Sequence, residues 1–139
     1  MENKSMIMGA NPTLEELQLF LSENFDFRYN VLTDMPECKP KNTNIYRMID
    51  KRMMNSLSYK AMMQGIDCKD ADVKRFLFSD QIATHHPFKD YVEALPEWDG
   101  TDRVTMLAAR VSGMAMWLNG FHRWMLGMVA QWMGYPSRC

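Results

Sequence analysis

The chain has 139 residues, 47% of them apolar and 24% charged, with a formal net charge of −1. The length accommodates one core-bearing domain, and the composition excludes disordered and fibrous chains. The small net charge excludes a binder that is basic overall, so any contact with DNA has to come from a local patch.

In chain order, residues 1–12 read as a flexible tail, and one domain is expected over 1–139. "NPTLEELQLFLSEN" places Thr13 three residues before Glu16, a capping-box spacing, and puts Leu14, Leu17 and Leu21 on one face of a first helix. "FDFRYNVLTDMPECKPKNTNIYRMID" alternates aromatic and β-branched residues with polar ones, which predicts a β-hairpin whose connection is punctuated by Pro36, Pro40 and Asn42. Asp50 is an N-cap for "KRMMNSLSYKAMMQG", where Met53, Met54, Leu57 and Ala61 share a face and Gly65 stands at C′. Val73, Phe76 and Leu77 follow Asp70 at helical spacing, His86 is a helix boundary, and Pro87 opens "PFKDYVEAL".

The next stretch, "ALPEWDGTDRV", concentrates unusual chemistry in one turn. Pro96 ends the preceding helix, Trp98 is an apolar anchor, Asp99-Gly100 suits a turn with positive φ, and Thr101 or Asp102 caps the next helix. Arg103 has two readings: an ion pair with Asp99 or Asp90, or a reach towards nucleotide, DNA or a neighbouring subunit. Val104, Leu107, Ala108 and Val111 then form an apolar stripe that stops at Gly113. The last helix, about Met114 to Met133, carries Trp117, Phe121, Trp124, Met128 and Trp132 on one side and Leu118, Met125, Val129 and Met133 on another, so something must cover it. Asn119, His122, Arg123 and Gln131 interrupt it too often for a membrane span.

Cys38, Cys68 and Cys139 are odd in number and far apart, with no secretion segment before them, which argues against a disulfide framework and for the cytoplasm. Fifteen methionines suit a packed core or an adaptable contact surface. His85 and His86 are adjacent and lack further ligands at metal spacing, so no metal site is assigned. Nor does the chain carry a phosphate loop, a dinucleotide fingerprint, a nucleophile elbow or a zincin motif. The basic residues around the hairpin and the helix after it, Arg28, Lys39, Lys41, Arg47 and Arg52, are the candidate DNA contacts. Asp26, Asp34, Glu37 and Asp50 are interspersed among them, which is the pattern of an ordinary solvated surface.

"HHPFKDYVEALPEWDGTDRVTMLAARV", followed by a Trp- and Met-rich helix ending "FHRWMLGMVAQWMG", resembles the region just before the P-loop in the virulence-associated protein E (VirE) family. "FRYNVLTDMPE" and "MMNSL" extend the resemblance to about residues 14–134, and Trp98-Asp99-Gly100 with Arg103 is its most specific part. The family comprises primase- and helicase-associated proteins of phages and mobile elements, and the resemblance is especially close to forms from Bacteroides-like bacteria. Its members resemble superfamily 3 helicases, which are ATP-driven and typically ring-forming.

The resemblance implies a segment truncated before the ATPase core, to which ATP and magnesium would belong, so the chain itself is expected to be a non-enzyme without cofactors. The expected fold is mainly α, of the α+β class: a helical domain with one small β-hairpin, for which a winged-helix-like form is one option. The expected role is non-catalytic placement of DNA or subunits. The alternative is an interaction or inhibitory fragment that binds a full-length relative, or itself, through Trp117, Phe121, Trp124 and Trp132.

Overall fold

The computed structural model describes residues 11–136. The tail expected over 1–12 lies outside them except for Asn11 and Pro12, and Cys139 lies outside them as well. Among the described residues the fold is α+β, with six helices and a four-stranded sheet. The single domain expected over 1–139 is made of two compact units, 1–85 and 86–139. Each is described by itself.

In the first unit, α1 (Pro12–Asn24) starts earlier than the capping-box reading placed it. Proline at N1 already has helical φ and needs no N–H there, and the Asn11 side chain caps by accepting from the Leu14 N–H at 3.3 Å. Thr13 is therefore inside the helix. β1 (Phe25–Asn30) follows without a loop and pairs antiparallel with β2 (Met35–Pro40). The connection is the four-residue turn 31–34, in which Asn30 Oδ1 accepts from the Leu32 and Thr33 amides and Asp34 takes φ +55°.

Pro36 and Pro40, expected in the connection, lie inside β2. The register explains how the sheet tolerates them. Even-numbered residues of β2 direct their backbone groups away from β1: the Pro36 carbonyl accepts from Ile49 N–H, while the odd-numbered Lys41 N–H donates back to Asn24. The missing proline N–H groups therefore fall on the side of β3 (Arg47–Met48), which is only two residues long and stands opposite Glu37 and Cys38, not opposite either proline. β4 (Thr84–His85) pairs parallel with β1, giving the order β3-β2-β1-β4. The hairpin is thus the centre of a sheet, not a wing projecting from helices.

Asp50 caps α2 (Lys51–Met63) by accepting from the Met53 N–H at 2.7 Å, and Gly65 at C′ has φ +85°. α3 (Asp70–Leu77) begins at Asp70 itself; Lys69 is the capping position, and its N–H donates to the Asp72 carboxylate. Leu17 and Leu21 of α1, Leu57 and Ala61 of α2, and Val73 and Leu77 of α3 close over the sheet face that carries Phe25 and Cys38. Phe27 and Phe76 meet edge to face on the same side.

The second unit contains α4 (Pro87–Glu93), α5 (Arg103–Ala109) and α6 (Ala115–Trp132). His86 caps α4 through Nδ1, which accepts from the Lys89 N–H, and Asp102 caps α5 by accepting from the Thr105 N–H. Ala108 is the one buried residue among the described residues of this unit. The stripe expected to bury Leu107 and Val111 does not do so: both are exposed, and Val111 lies in the turn after α5, past the end of the helix. No described helix is long and apolar enough to cross a membrane.

Candidate functional site

α6 has no acidic residue, one arginine, and aromatic or methionine side chains around most of its circumference. Where its first turns meet the turn after α5, they form an open apolar groove of about 710 Å³, lined by Val111, Ser112, Met114, Met116, Trp117, Gly120, Phe121 and Trp124. The Trp117 Nε1–H donates to the Ala108 carbonyl at 2.9 Å, which fixes the indole against α5 and satisfies its only polar atom. Phe121 lies 5.6 Å from the Trp117 ring and 5.8 Å from Trp124, so three of the four expected interface residues form one aromatic row. Trp124 is 60% exposed and Met116 80%.

Trp132, the fourth, is not part of this row. It stacks on Phe88 of α4 at 4.7 Å with an 8° interplanar angle, so one ring face is already covered. Sequence reasoning missed Val111, Met114 and Met116 as groove residues. The methionine count was the available signal, but which methionines line a groove depends on the α5–α6 turn.

At the Trp98-Asp99-Gly100 turn, Gly100 has φ +82°, as expected. Asp99 Oδ1 accepts from the Thr101 N–H, and both terminal nitrogens of Arg103 donate to the Asp99 carboxylate, one at 2.8 Å. The Arg103 guanidinium holds the Asp99 carboxyl far below its ordinary value. The pair closes on itself in the way the structural reading of Arg103 requires. Trp98 must be corrected: it is 75% exposed, and its Nε1–H donates to the Thr101 carbonyl. Hydrophobicity marks a preference for cover, but the turn itself is held by polar bonds.

The expected cost of Trp98→Ala is accordingly that of one hydrogen bond, about 0.5–1.5 kcal/mol, and not that of a core cavity. Gly100→Val should cost more, about 1–3 kcal/mol, from backbone strain alone, because nothing lies within 4 Å of where its Cβ would stand. Thermal melts of both variants check this order; equal melting temperatures would contradict it.

The five candidate DNA contacts do not form one surface. Pairing across β1 and β2 puts Asp26, Arg28, Glu37 and Lys39 on the sheet face opposite the core. There Arg28 Nε donates to Glu37 at 2.5 Å and its guanidinium lies 4.0 Å over the Tyr46 ring, while Lys39 and Lys41 both pair with Asp26. Lys41 holds the Asp26 carboxyl below its ordinary value. Burial alone would raise Glu37, but the bonds from Asn30 and Arg28 outweigh it and hold the carboxyl low. Arg47 is opposite Cys38, on the other face, and is exposed; Arg52 is on α2. Glu37 and Asn30 form a largely buried polar pair at 2.9 Å that sequence reasoning missed, because only the strand register brings them together.

Set against known proteins, the chain matches no family model, no curated protein and no solved structure.

Proposed function

We propose that the chain is a non-catalytic placement module of a VirE-type DNA-replication protein, acting in the cytoplasm, and that α6 docks a second copy of the same chain. The docking part of this reading is carried by the burial pattern of the second unit, and the placement role by the sequence resemblance around Trp98-Asp99-Gly100 and Arg103. Ala108 alone is buried among its described residues, while Met116 and Trp124 stand open beside an apolar groove. Exposed apolar surface of this kind is the usual mark of an interface.

The choice of occupant rests on charge. Over α6 the only formal charge is Arg123, with no acid to repel or to seek a basic partner. A face that is apolar and nearly uncharged complements itself, as an isologous contact requires. A full-length relative with the same helix would fit the same face, which unites this reading with that of an interaction fragment. The sheet-face cations support DNA placement less well, since Arg28, Lys39 and Lys41 are committed to Glu37 and Asp26.

Sedimentation velocity tests the proposal. The expected result is a dimer or larger species at micromolar concentration, dispersed to monomer by Trp124→Ser combined with Met116→Ser. Both side chains are exposed, so the variant removes the face without removing a core residue. A parent chain that stays monomeric and binds no hydrophobic dye contradicts it.

A further inference from the structure

The outer side of α2 carries cations and no acids. From Asp50 to Asp67 the chain has Lys51, Arg52 and Lys60 and no carboxylate between them. Lys51 and Lys60 stand half a helical turn apart at the two edges of this outer side, with Asn55, Tyr59, Arg52 and Ser56 between them, and the six line a surface groove of about 660 Å³. Unlike the sheet-face cations, none of the three is in a salt bridge among the described residues.

A second groove, of about 400 Å³, continues from Tyr59 and Lys60 onto Phe20, Phe25 and Met63. The two halves differ in character: one is cationic, the other lined by Phe20, Pro40 and Met63 with Asn24 and Gln64, over a Phe25 ring that is itself buried. Tyr59 stands at the junction and is 66% exposed, and the Lys60 ammonium lies 5.3 Å over the Phe25 ring. A ligand that fits both halves needs negative charge repeated along its length and flat apolar faces beside it.

We propose that this trough binds single-stranded nucleic acid. Lys51, Arg52 and Lys60 neutralise phosphates of a strand that crosses the outer side of α2 obliquely, from Lys51 and Arg52 in the first turn to Lys60, roughly 14 Å further along the axis at 1.5 Å per residue. A base stacks on Tyr59, and Asn55 is placed to bond a base edge or a phosphate. A duplex presents phosphates too, but its base faces are already stacked, so the exposed Tyr59 ring selects the single strand. The site lies in the first unit and needs nothing from α6.

Fluorescence anisotropy of the full chain with a labelled oligothymidylate, repeated over a range of salt concentrations, tests this. Three phosphate contacts predict a slope of about −2 for log affinity against log salt. Replacing Lys51, Arg52 and Lys60 together by Gln should lower affinity more than ten-fold and bring the slope near zero. Tyr59→Ala should weaken binding by roughly ten-fold with the slope kept, and Tyr59→Phe should restore it, because the ring and not the hydroxyl does the stacking. Lys51→Gln alone should reduce the slope by about 0.7, which keeps the test decisive if the triple variant fails to fold. The proposal is overturned by an absence of single-strand binding, by a triple variant that folds and binds like the parent, by a duplex of the same length binding as tightly, or by phosphatidylserine vesicles displacing the oligonucleotide.

Discussion

Leu57→Ala is expected to lower the stability of the first unit by about 2–5 kcal/mol, the range for deleting a fully buried leucine whose cavity collapses only in part. Leu57 is fully buried within the cluster that joins α1, α2, α3 and the sheet. All four tryptophans, Trp98, Trp117, Trp124 and Trp132, belong to the second unit, so their fluorescence reports that unit. The measurement for the first unit is amide hydrogen exchange of β1 and α2. A change below about 1 kcal/mol would mean that Leu57 is not a core residue, since surface substitutions seldom exceed that.

Glu37→Ala is expected to cost about 1–3 kcal/mol, because it removes the acceptor of two bonds and leaves the buried Asn30 amide without its partner. Chemical unfolding of parent and variant measures the loss, and Glu37→Gln should recover part of it by keeping an acceptor oxygen. The pH dependence has a definite sign. The native carboxyl titrates below its ordinary value, so its contribution is complete above that value and disappears as pH falls through the lower native one. The difference between parent and Glu37→Ala should therefore shrink in acid; a difference that grows as pH falls would contradict the account.

Features decided within a few residues were legible in the sequence. The Asp50 cap, Gly65 at C′, Pro87 after His86, and α6 to within one residue at each end all rest on local backbone chemistry. So does the i, i+4 pairing of Asp99 with Arg103. Features decided by long-range pairing were not. Thr84 and His85 lie beside Tyr29 and Asn30 only after α2 and α3 have crossed over, and nothing in two residues announces a strand. Pro36 and Pro40 punctuate a sequence convincingly, yet β2 accommodates them because its neighbour on that side is short. The candidate DNA contacts illustrate the same limit: charge signs are read from sequence, but that Lys39 faces Asp26 is a property of register. At Trp98 the residue type suggested cover that the second unit does not provide.

The claim that α6 is a docking face is tested most directly by hydrogen exchange of its backbone amides at two protein concentrations. If a second copy docks there, protection over Ala115–Trp132 rises with concentration, while α2 and β1 in the first unit are unchanged, and the rise disappears in the Trp124→Ser, Met116→Ser variant. Protection of α6 that is the same at both concentrations, in a chain that sediments as a monomer, contradicts the account.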